Sequence, residues 1–75
     1  MSLYYFNIRN GHAFMKDSHG TNLTDLGSVR KVAINRARKM LAERPNEMAH
    51  AEFEITDRGG IIVEAVKFTE ANFAK

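Results

Sequence analysis

From Tyr4 to Arg9 apolar and polar positions alternate, with Tyr4, Phe6 and Ile8 on one side and Tyr5, Asn7 and Arg9 on the other. This is the period-two pattern of a strand with one buried face. Asn10-Gly11 separates it from a second strand-like run, residues 12–16, and Asn-Gly between two such runs marks a tight hairpin. With those two residues as the loop, Arg9 pairs with His12 and Phe6 with Met15. Tyr4, Phe6, Ile8, Ala13 and Met15 then share the inner face, and Tyr5, Asn7, Arg9, His12, Phe14 and Lys16 the outer one. Asp17-Ser18-His19-Gly20 closes the second strand as a turn, with Asp at its start and Gly where a positive φ is easily taken.

The period then changes. Leu26, Val29, Ala33, Ala37, Met40 and Leu41 recur at helical spacing, with Val32 and Ile34 at the margins and Lys31, Asn35, Arg38 and Lys39 opposite. Asp25 is placed as the N-cap, and Pro45 forces Arg44 out of helical geometry, so the helix ends near Glu43. Gly27 in its first turn means either a frayed start or a close approach of helix to sheet.

A second hairpin follows, residues 51–56 and 61–68 around Asp57-Arg58-Gly59-Gly60. Whether its loop holds two residues or four, Phe53, Ile55, Ile62, Val66 and Phe68 fall on the core side. Glu52, Glu54, Thr56, Ile61, Val63, Ala65 and Lys67 fall on the other. The order predicts an α+β fold of ββαββ layout, an antiparallel-rich four-stranded sheet with one long helix on one face. The single domain divides into hairpin 4–17, helix 25–44, hairpin 51–68 and tail 69–75, the tail as a short helical turn or a loosely held end.

Size and composition sharpen the picture. A chain of 75 residues buries only about 60% of the surface its unfolded form exposes. It contains no Cys, so neither a disulfide nor a thiolate metal site braces the core, and association is the remaining common device. The start lacks the pattern of a signal peptide, and no apolar run approaches the ~20 residues of a membrane span, which points to a cytoplasmic protein without membrane contact. The net charge is +2, with Arg30, Lys31, Arg36, Arg38, Lys39 and Arg44 concentrated in the helical region and acids outnumbering bases from Pro45 onward.

No residue pattern spells out catalysis. His12, His19 and His50 have no metal-ligand spacing and read as strand-face, turn and loop residues. Ser2, Ser18 and Ser28 lack a nucleophile elbow, and Gly59-Gly60 joins two strands instead of opening a helix on a phosphate. Glu52 and Glu54 share a solvated strand face. The expectation is a non-enzymatic protein with no metal and no cofactor.

The run Tyr4-Tyr5-Phe6-Asn7-Ile8-Arg9-Asn10-Gly11, then Asp17, Gly20, Leu23, Asp25, Leu26 and Val29, then Phe53-Glu54-Ile55-Thr56-Asp57 with Gly60 resembles a family of short, uncharacterised bacterial proteins carrying a domain of unknown function. The resemblance implies a stand-alone domain and supplies no catalytic or binding residues. Over the first half, a strand hairpin leading through a polar turn into an Ala-rich helix is similar to the HicB-type antitoxin domain. Here Thr21-Asn22-Leu23-Thr24-Asp25-Leu26 stands where that family has a Pro-Gly-Cys-rich segment.

Two functional readings follow. One helix covers one face of a sheet, which leaves Tyr5, Phe14, Ile61, Val63 and Ala65 on the other, as a surface for a protein partner and above all for a second copy in a homodimer. Covering several hundred Å2 of it is worth on the order of 10 kcal/mol before association costs. The alternative is weak nucleic-acid binding, or an antitoxin-like regulatory role, through the basic helix residues Arg30, Lys31, Arg36, Arg38 and Lys39, or nucleic-acid binding through the outer strand face, where Tyr5 and Phe14 stand beside Arg9 and Lys16.

Overall fold

A computed structural model describes residues 1–72. It places β1 at Ser2–Asn10, β2 at Ala13–Met15, β3 at Thr21–Leu23, helix α1 at Leu26–Glu43, a one-turn helix α2 at Pro45–Met48, β4 at Glu52–Thr56, β5 at Ile62–Lys67 and a 3-10 turn at Phe68–Asn72. The protein is α+β, with every strand pairing antiparallel and α1 on one face of the sheet. The strand order is β2-β1-β4-β5, and β3 pairs with β1 on the same side as β2. The sheet thus has four lanes but five strands. The expected second strand shortens to β2, beside the C-terminal half of β1, and beyond the Asp17 turn an unexpected β3 continues its lane beside the N-terminal half.

In the first hairpin the loop is Gly11-His12, with Asn10 opposite Ala13, Arg9 opposite Phe14 and Ile8 opposite Met15. Gly11 has φ 63° and no non-glycine residue among the described residues has a positive φ, which is the pattern of a II′ turn with Gly first. The I′ pair expected at Asn10-Gly11 is displaced by one residue. Strand faces survive because the pairing moves by a full pleat.

The second hairpin does change faces. Asp57 and Ile61 close a three-residue loop in which Gly60 takes φ 84°, and Thr56 then pairs with Ile62 while Ile55 pairs with Glu64. The register shift between Ile55 and Thr56 leaves Val63 as the extra residue of a β-bulge. A loop of odd length reverses the parity that loops of two or four would keep, and the bulge restores it further along. Ile62 consequently lies on the open side, 56% exposed, and Val63 packs against the core, the reverse of the sequence expectation.

Asp25 caps α1 as expected, its Oδ1 accepting the Ser28 N–H at 2.8 Å. Gly27 serves no approach to the sheet; the nearest atom to an added Cβ is that capping carboxylate. Beyond the break at Arg44, Pro45 starts α2, where its missing N–H costs nothing. The buried face of α1 is Val29, Ala33 and Ala37, flanked by Val32, Ile34, Met40 and Leu41. Beneath it Phe53 meets Phe6 edge-on at 5.8 Å and Phe68 at 4.8 Å between ring centroids. Met48, Ala51 and Ala71 complete the core from α2, the entry to β4 and the 3-10 turn.

Three further residues expected inside are exposed. Helix α1 lies over β5 and the 3-10 turn, so the β2 end of the sheet stays open and both Ala13 and Met15 face solvent. Leu26, at the first position of α1, has no preceding helical turn to pack beside and is 51% exposed. Residues 73–75 of the expected tail lie outside the described residues.

Candidate functional site

Strand registers define the open face in rows. Phe14, Arg9, Glu52 and Lys67 lie side by side across all four lanes, then Asn7, Glu54 and Ala65, then Tyr5, Thr56 and Ile62. Phe14 is 47% exposed, Tyr5 is half-buried and Ala65 is exposed. Of the five residues expected on this face, Tyr5, Phe14 and Ala65 are there. Val63 is under the helix, and Ile61 sits at the hairpin tip opposite Asp57. Ile62, missed by alternation alone, takes their place. The signal for it was Gly60, which at φ 84° ends a three-residue hairpin loop whose odd length turns the following strand over.

The middle of the face is held by a buried amide. Asn7 Nδ2 donates to the Glu54 carbonyl at 3.0 Å and to Thr56 Oγ1 at 3.4 Å, while its Oδ1 accepts the Asp17 N–H at 2.9 Å. Asp17 answers from the break between β2 and β3. One oxygen accepts the Phe6 N–H at 2.9 Å, which no strand reaches there, and the other accepts His19 N–H and Gly20 N–H. Burial pushes the Asp17 carboxyl up, but the Phe6, Gly20 and His19 donors, with Arg36 nearby, outweigh it and hold it below the ordinary carboxylate range. Gly20, at φ 77°, passes so close to Leu3 and Tyr5 that a Cβ would lie 2.9 Å from the Leu3 side chain. The opposite edge is treated alike: Glu70 accepts the Lys67 N–H at 3.0 Å and bonds Arg30. The Lys67 bond first, then Arg30, hold the Glu70 carboxyl low. Glu70 thus occupies a backbone donor at the β5 margin, a way of blunting edge-to-edge pairing, while Asp17 fills the gap left in the outer lane beside β1.

The five helix cations do not form one surface. Arg30 reaches one side to Glu70 and Glu64, and Arg36 reaches the other, donating to Thr21 Oγ1 at 2.9 Å and lying 4.5 Å over the Phe6 ring. Lys31, Arg38 and Lys39 occupy exposed positions between them. Phe14 lies on the other face of the sheet, with Arg9 at 4.9 Å over its ring. His12, His19 and His50 are exposed and apart, and among the described residues no three His, Asp or Glu gather as metal ligands.

Two shallow concavities flank the Asp17 break. One, about 570 Å3 on the open face, is lined by Tyr5, Asn7, Phe14 and Arg58 among others. The other, about 340 Å3 between α1 and β2, has Met15 and Met40 at its mouth. Neither gathers titratable groups in an enclosed space, and no helix among the described residues is long and apolar enough to cross a membrane.

The molecule is therefore a small α+β domain with a helix-covered and an open sheet face. Residues 3–69 match DUF6894, a domain of unknown function, and the chain belongs to that family. No match was found among curated proteins or among solved structures.

Proposed function

We propose that this domain is a non-catalytic self-association module in which two copies pack open face to open face. The observation that carries this reading is the open face itself: Ile62 and Phe14 are 56% and 47% exposed on it, with Tyr5 in the row of Ile62 and Ala65 in the row between. A second copy suits the face because Lys67 and Glu52, of opposite sign, lie on it beside the internally paired Arg9 and Glu54. A two-fold axis sets the cations of one copy against the acids of the other. The Glu70 carboxylate on the β5 edge and the short strands β2 and β3 on the other edge favour stacking of faces over extension of the sheet.

Four lanes at ~4.8 Å and strands of ~20 Å give a face of roughly 400 Å2 per copy. That is well below the ~800 Å2 per partner of a standard interface, so the pair is reversible and of micromolar-to-millimolar affinity. Light scattering from ~10 μM to ~1 mM tests it: the average mass should rise from 8.5 kDa toward twice that value. A mass fixed at 8.5 kDa throughout would remove the proposal.

A further inference from the structure

The cleft between α1 and the open β2 end is unrelated to the face used above. Its floor is Phe6, Ile8 and Phe53, all core residues, and its mouth lies between Met15 on β2 and Met40 on α1. Met15 is 56% exposed. Paired methionines make an adaptable apolar slot, because an unbranched thioether chain repacks around differently shaped side chains.

The rim is cationic. Lys16, Arg36 and Lys39 line it together with Asp17, whose carboxylate is already bonded to three backbone N–H groups. Arg9, Arg30 and Arg44 each have a carboxylate within 4 Å, but among the described residues Lys16, Arg36 and Lys39 have none. Arg36 is held by a neutral hydroxyl and an aromatic face, with Asp17 near but outside ion-pair distance, so its position is fixed while its charge is only partly offset within the chain.

We propose that this cleft docks an acidic peptide segment of another protein, which inserts one apolar side chain between Met15 and Met40 and sets flanking carboxylates against Lys16, Arg36 and Lys39. Nucleic acid suits the site less. The rings of the cleft, Phe6 and Phe53, lie on its floor only 5% and 2% exposed, and Phe6 is already covered by Arg36, leaving no platform on which a base could stack. A second copy suits it less too, since Glu47, Glu54, Glu64 and Glu70 are committed to arginines of their own chain.

The test is fluorescence anisotropy with a labelled short peptide carrying one leucine flanked by glutamates, backed by NMR shift mapping on the full chain. Saturable binding is expected, with shifts concentrated at the Met15 and Met40 methyl groups and at Lys16 and Lys39. Affinity should fall about tenfold for the double variant Lys16→Glu/Lys39→Glu, whose sites are exposed and leave the fold intact. It should fall similarly for a peptide with serine in place of leucine. No binding by the peptide, shifts centred on Tyr5 and Ile62, or an equal affinity for a single-stranded oligonucleotide would each overturn the proposal.

Discussion

The two faces of this sheet are built from neighbouring residues of the same strands, yet they are held together by different forces. On the covered face Phe6, Phe53, Ile55, Val66 and Phe68 are sealed under Val29, Ala33 and Ala37, and burial of apolar area does the stabilising. On the open face the central residue is a fully hydrogen-bonded amide, Asn7, ringed by Arg9, Glu54, Thr56 and Asp17. The apolar side chains there, Phe14 and Ile62, contribute little to the monomer. Small size makes the contrast consequential: a thin core must supply nearly all the stability, which leaves the other face open to contacts outside the molecule.

The largest expected effects separate the faces by stability. Phe53→Ala should cost about 3–5 kcal/mol in chemical denaturation, enough to unfold much of a domain this small. Phe14→Ala should cost under about 1 kcal/mol; equal losses would mean that the open face is also core.

The bulge gives a sharper comparison between adjacent residues. Val63→Asp places a charge against the core and should lower stability by about 2–3 kcal/mol. Ile62→Asp should leave the denaturation midpoint within about 0.5 kcal/mol of the parent while weakening self-association. If the two exchanged behaviour, the hairpin would have the face assignment that plain alternation gives.

Asp17 tests the margin between the faces. Asp17→Asn keeps one acceptor oxygen for His19 and Gly20 but turns an NH2 toward the Phe6 N–H, with an expected loss of about 1–2 kcal/mol. The carboxyl has a lower pKa folded than unfolded, so its contribution is complete above the unfolded value near pH 4 and disappears as pH falls through the folded one. Urea midpoints at about pH 6 and pH 3 should therefore differ less for Asp17→Asn than for the parent. Glu70→Gln should act in the same direction with the smallest effect, under about 1 kcal/mol, because its partner Arg30 is 47% exposed.

These contrasts also mark where sequence reading ended. Strand β1 was legible because its alternation is strict and both its neighbours pair with it, and α1 was legible because Asp25 and Pro45 bracket a single stripe. The break between β2 and β3 was not, since the Asp17 carboxylate replaces a strand partner at Phe6 and only three-dimensional contact reveals that. The candidate face was half legible. Tyr5, Phe14 and Ala65 follow from alternation, but Ile62 and Val63 exchange sides through a one-residue difference in loop length, and runs of consecutive β-branched residues carry no alternation to betray it. The cationic cleft at Met15 and Met40 joins residues far apart in sequence, one of which reads simply as helix stripe.

The central claim is that the open face meets its own copy. An isotope-filtered NOE experiment on an equimolar mixture of labelled and unlabelled protein at about 1 mM tests it most directly. The account predicts intermolecular contacts among Tyr5, Phe14, Ile62 and Ala65 and none at Val29, Val63 or Met40. Contacts at the Met15–Met40 cleft instead, or no intermolecular contact at all, would contradict it.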